Sequence, residues 1–141
     1  VRLSKAFWPT LSKNKGWVVS INGAMSHSPD PFFMVGGAVN AAFLNFTKAL
    51  SKRGLIDGVN VNSINPGMTS TDRLITIIQS NADREGISFA EAEEKSLKNI
   101  GLDRFGTPEE VAELTYFLCN PNMRHLTGTE INLDGGKKTS I

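Results

Sequence analysis

The sequence predicts an α/β fold in which helices alternate with the strands of a parallel sheet. Three observations carry that prediction. Short runs at 16–23, 59–64 and 127–136, rich in β-branched residues and bounded by Asn-Gly, Asp-Gly or Gly-Gly, read as buried strands. A long segment with helical apolar spacing separates the first two, and segments with clear helix-start signals separate the second from the third. The order helix, strand, helix, strand, helices, strand calls for crossover connections, which make neighbouring strands parallel.

Each element has its own justification. In residues 1–11 the apolar positions Val1, Leu3, Phe7, Trp8 and Leu11 describe a helix that Pro9 kinks or ends early. LSKNKG is a polar turn, GWVVSING is the first strand, and AMSHSPDPF is a loop punctuated by two prolines. The long helix runs from about Gly37 to Lys52. Val39, Phe43, Phe46 and Leu50 form its apolar stripe, and Gly54 stands just beyond as its stop. A second stripe, Ala38, Ala42, Asn45 and Ala49, is small enough to let another helix approach. Asp57-Gly58 turns the chain, and Val59, Val61 and Ile64 make the second strand.

Residues 72–100 are mostly helical. Ser88 and Glu91 form a capping box there, with Ala90, Ala92, Leu97 and Ile100 as apolar positions. Thr107, Pro108 and Glu110 give the next helix its N-cap, first-position proline and third-position glutamate; Val111, Leu114, Thr115 and Leu118 carry its inner face. TGTEINLDGG is the third strand. Three strands make a small sheet, and the first leaves one edge open.

The totals exclude several function classes. A chain of 141 residues with 40% hydrophobic and 21% charged residues is one ordinary globular domain, and no repeat or linker divides 1–141. A net charge of +1 gives no electrostatic basis for binding nucleic acid or an anionic membrane. No apolar run approaches the roughly 20 residues of a membrane span, and VRLSKAFWPTL is too short and mixed for a signal peptide. The lone Cys119 has no internal disulfide partner; its FLCNP surroundings suggest a buried thiol in a reducing, cytoplasmic compartment. No His/Cys/Asp/Glu spacing suggests a metal site.

Three segments carry a family resemblance: VNVNSINPGMTST at 59–71, RFGTPEEVAELTYFL at 104–118 and HLTGTEINLDGG at 125–136. In this order and spacing the chain resembles the C-terminal half of a short-chain dehydrogenase/reductase. The resemblance implies a Rossmann-type doubly wound parallel sheet, of which these three strands and flanking helices are the C-terminal half. The family's glycine-rich dinucleotide turn and the residue selecting NAD or NADP would lie upstream; no G-x-G-x-x-G follows any strand here. Two to three strand–helix units, about 100 residues at about 30 per unit, are expected to precede Val1 in a longer polypeptide. NAD or NADP is expected to bind only with that N-terminal half. The resemblance also implies a homodimer or homotetramer assembled through the helix at 37–52.

The family's catalysis uses a Tyr, a Lys four residues later and a Ser thirteen residues before the Tyr. Anchored on NFTKALS at 45–51, these fall on Gly36, Asn40 and Gly23, and the family's catalytic Asn falls before residue 1. The resemblance therefore leaves no catalytic residue in place. Carbonyl reduction by hydride needs a proton donor as charge develops on the oxygen. A free Tyr, with a pKa of about 10, serves poorly at neutral pH until a neighbouring ammonium lowers it, and a Ser hydroxyl orients the substrate oxygen. Gly36 offers no side-chain proton and Asn40 no charge. The single tyrosine, Tyr116, sits in another helix beside Phe117 and Leu118, where packing is its expected role.

INPGMTST is the strongest remaining functional feature. It leaves the C-terminal end of a strand, where open α/β sheets bind ligands. The resemblance implies that Pro66, Gly67, Thr69 and Thr71 contact the nicotinamide end of the dinucleotide; on residues alone, the segment is a Pro-Gly turn whose Thr69 or Ser70 caps the next helix. His27 and Asp30 follow the first strand and are either substitute acids or solvated loop residues. Leu74, Ile75, Ile77 and Ile78, where the resemblance places a mobile substrate lid, suit an apolar substrate or a core. His125 reads as a surface residue, and Lys137-Lys138 as a solvated tail.

Overall fold

The computed structural model describes residues 1–137. Helix α1 spans Arg2–Lys13, β1 Trp17–Ile21 and α2 Met34–Asp57. They are followed by β2 (Asn60–Pro66), α3 (Asp72–Glu85), α4 (Phe89–Ile100), α5 (Pro108–Leu118) and β3 (Glu130–Leu133). The sheet is parallel in the order β1-β2-β3, with Ser20 opposite Ser63 and Ser63 opposite Glu130. The α/β class and the parallel three-strand sheet with flanking helices are as expected.

The central strand explains why the layers close. Every residue from Asn60 to Asn65 is buried although side chains alternate between faces, so both faces of β2 are covered; α2 and α5 both pack on it. Four of those six residues are polar. Asn60 donates from Nδ2 to the Arg124 and Leu126 carbonyls at 2.9 and 3.2 Å, and Asn62 donates to the Leu126 carbonyl at 2.9 Å. Asn62 Oδ1 accepts the Thr129 N–H at 3.2 Å. Buried amides are tolerated because they are paired in this way.

Several boundaries differ from expectation. Helix α1 continues through Pro9 to Lys13. Pro9 removes one backbone bond, but Trp8 Nε1 donates to Asp57 Oδ2 at 2.7 Å and Ser12 Oγ to the Asp57 carbonyl, holding the helix on both sides of the proline. Helix α2 starts at Met34 and passes Gly54; Gly58, at φ 75°, is the left-handed cap. Gly54 serves close approach instead, since a Cβ there would lie 2.2 Å from the Val59 carbonyl oxygen. The stripe Val39, Phe43, Phe46, Leu50 is not the buried face: Val39 is 61% exposed, and the buried positions of α2 are Thr47, Ser51 and Gly54. Strand β3 occupies only four residues of 127–136, and β1, at the sheet edge, is mostly half-buried.

Both capping boxes form as read, Ser88 with Glu91 and Thr107 with Glu110. Helices α3 and α4 make a separate cluster from Leu74, Ile78, Ala82, Ala92 and Phe105. Leu74 and Ile78 thus take the core role, whereas Ile75 and Ile77 remain exposed. Tyr116 does not pack; it is 77% exposed. Burial raises the half-buried Cys119 thiol above its ordinary pKa. Lys138 lies outside the described residues. No helix among the described residues is long and apolar enough to cross a membrane.

Candidate functional site

The segment after β2 is fixed from two sides. Gly67 N–H donates to the Leu133 carbonyl at 3.0 Å, and a Cβ on Gly67 would lie 2.9 Å from Asp134 Cα, so this crossing requires glycine. On the other side the Gly106 backbone pairs with the Met68 carbonyl at 3.0 Å and the Ser70 N–H at 2.8 Å. Thr69 Oγ1 donates to the Gly67 carbonyl and Thr71 Oγ1 to the Thr69 carbonyl, at 3.2 and 3.3 Å. The N-cap of α3 is Thr71, not Thr69 or Ser70, and its side chain accepts no capping bond. The first two N–H groups of α3 therefore remain unpaired among the described residues beside an exposed threonine hydroxyl. Such donors suit the carboxamide and phosphate acceptors of a dinucleotide, the group that the resemblance assigns to the segment holding Pro66, Gly67, Thr69 and Thr71.

Gly23, Gly36 and Asn40 lie at the start of α2 and the end of β1. The backbone at Gly23 is extended, and a Cβ there would lie 2.8 Å from Asn40 Nδ2, so these two positions adjoin. The Asn40 amide makes no hydrogen bond with another described residue. Gly36 is covered by Phe33: a Cβ at 36 would lie 2.0 Å from Phe33 Cζ and 2.2 Å from Cε1. The Arg73 guanidinium stands 5.8 Å from the centre of the Phe33 ring, and that of Arg84 stands 4.9 Å from the Phe32 ring. Sequence reasoning missed both aromatic–arginine pairs, because partners so far apart in the chain leave no periodic signal. The one local signal was FFMVGG, two aromatics and two glycines separated by only two residues.

His27 and Asp30 are both held by hydrogen bonds, one of them to a residue distant in the chain. His27 Nε2 lies 2.5 Å from Glu130 Oε1, and Asn65 Nδ2 bonds the same oxygen. Asp30 Oδ1 accepts the Phe32 N–H at 2.7 Å and shapes the loop. Ser26, His27, Lys48, Ser63 and Glu130 line a cleft of about 610 Å³ between α2 and β3. None of Gly23, Gly36, Asn40, Pro66, Gly67, Thr69 and Thr71 borders it. Among the described residues no group of three His, Cys, Asp or Glu could hold a metal ion.

The comparisons with known proteins agree with this architecture. The family model described as enoyl-(acyl carrier protein) reductase matches residues 1–138. The NADPH-dependent reductase BacG of Bacillus subtilis (strain 168) is 32% identical over 126 residues, 89% of this chain and 49% of its own length. A short chain dehydrogenase family protein from Francisella tularensis superposes with a TM-score of 0.87 at 29% identity, covering 99% of this chain and 59% of that one. A short chain oxidoreductase from Pseudomonas aeruginosa PAO1, described as containing an atypical catalytic center, gives 0.83 at 26% identity, covering 98% and 53%. The chain spans about half the length of the curated relatives it matches. A family-model match over nearly all of its length, on a parallel three-strand half-sheet, makes this chain a member of the short-chain dehydrogenase/reductase family.

Proposed function

We propose that the protein binds a nicotinamide dinucleotide as an oxidoreductase-family member whose usual proton-transfer residues have been replaced, leaving turnover atypical or absent. The observation that carries this reading is the occupancy of the site. Gly36 lies under the Phe33 ring where a tyrosine would project, and the Asn40 amide meets Gly23 where a lysine and a serine would face each other. A bound reduced nicotinamide supplies hydride; the protein must supply the proton. The Asn40 amide can hold an oxygen by hydrogen bonding but releases no proton at neutral pH. Thr71 and the unpaired N–H groups at the start of α3 orient the nicotinamide end. NADPH is the cofactor to test first, since the relative BacG is named as NADPH-dependent. On this reading the substrate is a small carbonyl or alcohol, and the protein is a cytoplasmic homodimer or homotetramer.

A second reading, a non-catalytic dinucleotide-responsive regulator or oligomeric scaffold, is favoured by the aromatic cover over Gly36. One experiment separates the two. NADPH binding by the full polypeptide is measured by nucleotide fluorescence, and NADPH oxidation is then followed across a panel of ketones and aldehydes. Binding with slow turnover supports the first reading, and binding without turnover supports the second. No binding of either NADPH or NADH overturns the first reading and the regulator form of the second, leaving the scaffold. Robust reduction that is lost on changing His27 would place the proton donor on the His27–Glu130 pair.

A further inference from the structure

We propose that Phe33 couples the space above Gly36 to helix α3: its ring fills that space, Arg73 holds it there, and anything entering the space loosens α3. The three heavy atoms nearest to a Cβ built on Gly36 all belong to the Phe33 ring, at 2.0, 2.2 and 2.6 Å. A side chain at 36 and the present ring position are thus mutually exclusive. Glycine is needed here for space alone, because Gly36 is not among the residues with positive φ.

The other face of the coupling is Arg73. Its side chain makes no hydrogen bond or ion pair with another described residue, and its guanidinium stands 5.8 Å from the Phe33 ring centre. Eleven residues further along α3, Arg84 stands 4.9 Å from the ring of the adjacent Phe32 while donating to Asn81 Oδ1 at 2.9 Å. Two neighbouring aromatics thus hold two points three turns apart on one helix. The buried side chains of α3 (Leu74, Ile78 and Ala82) belong to the cluster shared with α4, so toward the start of α2 the helix depends on these exposed contacts. A ligand group bound over Gly36 must displace the ring and free Arg73. By linkage, occupancy of that space and docking of α3 weaken each other by the same factor. That a substrate is what enters the space rests on the function proposed above; the coupling between residue 36 and α3 does not.

The test is hydrogen–deuterium exchange of the backbone amides of α3, with α5 as the internal control, in the full polypeptide. Gly36→Ala is the decisive variant. It adds one methyl group, favours the helix it sits in, and leaves Phe33 and Arg73 unchanged. It should nevertheless speed exchange in α3 by roughly two- to fivefold, the range corresponding to one exposed aromatic–cation contact, and leave α5 unchanged. Arg73→Gln and Phe33→Ala should do the same. Gly36→Ala combined with Phe33→Ala should add nothing to Phe33→Ala alone, because both act through one ring. Phe33→Leu, which keeps apolar bulk but presents no ring face to Arg73, takes the place of Phe33→Ala if that variant unfolds. Unchanged or slower α3 exchange in Gly36→Ala, or full additivity in the double variant, would overturn the proposal.

Discussion

At residue scale the proposed loss of proton transfer turns on Gly36, and the obstacle to restoring a tyrosine there is steric. Its φ is not in the left-handed region, so the backbone admits a tyrosine; Phe33 Cζ, 2.0 Å from where its Cβ would lie, does not. Gly23→Ser, Gly36→Tyr and Asn40→Lys together should therefore give little NADPH-dependent ketone reduction in the full polypeptide. Adding Phe33→Ala should raise the rate by about 10- to 100-fold over the triple variant, at most the lower end of the roughly 10²–10⁴-fold that general acid–base assistance provides. Equal rates with and without Phe33→Ala would remove the ring as the obstacle. Tyr116→Phe should change nothing, since that side chain is 77% exposed on another helix. The resemblance assigns positions 23, 36 and 40 through the family spacing around them, and the structure sets 23 beside 40. Phe33, Arg73 and Glu130 were not legible in the sequence, since what matters about each is a partner 40 to 103 residues away.

At element scale the two capping-box starts, at Ser88 and Thr107, were the most readable features, since such a cap is made among four consecutive residues. The Thr107 hydroxyl accepts the Glu110 N–H at 3.3 Å and the Glu110 carboxylate accepts the Thr107 N–H at 2.8 Å. Thr107→Ala should destabilise the protein by about 1 kcal/mol in urea unfolding at neutral pH. The Arg104 guanidinium, donating to both carboxylate oxygens at 2.8 and 3.0 Å, and the Thr107 N–H hold the Glu110 carboxyl down at about 2 from its ordinary 4.5. A carboxyl lowered on folding stabilises above its ordinary value and ceases to as pH falls toward the folded one. The stability difference between Glu110→Gln and the parent should thus be full at pH 6 and shrink from about pH 4.5 to pH 2. Helix ends are less legible: Gly54 reads as a stop because close backbone approach and a left-handed cap both call for glycine, and only the fold tells them apart. The small-residue stripe of α2 is exposed at Ala38, Ala42, Asn45 and Ala49, leaving it available to a second helix. Ala42→Glu with Ala49→Glu should lower the mass measured by light scattering, and a parent protein already monomeric at micromolar concentration would rule out this interface.

At the scale of the whole molecule the sheet is open at both ends. Strand β2 is paired along both edges, whereas β1 and β3 are each paired along one edge among the described residues. Residues 1–141 expressed alone should therefore form soluble aggregates, and co-expression with a dinucleotide-binding half should convert them to a defined species on size exclusion. A monodisperse, two-state monomer of the isolated chain would contradict this. The parallel order was legible from the alternation of helices and strands, but the alignment of β3 against β2 was not, because no short turn joins them to set it. That alignment comes from the amides of β2. Asn60 and Asn62 reach the carbonyls at 124 and 126 and the N–H at 129, so they grip the approach to β3 before its first residue pairs. A slip of one residue would leave buried amides without partners and turn every side chain of β3 to the opposite face. The polar side chains inside the sheet thus act as a ruler: a strand that arrives through three helices and many residues of connection can still settle in only one position.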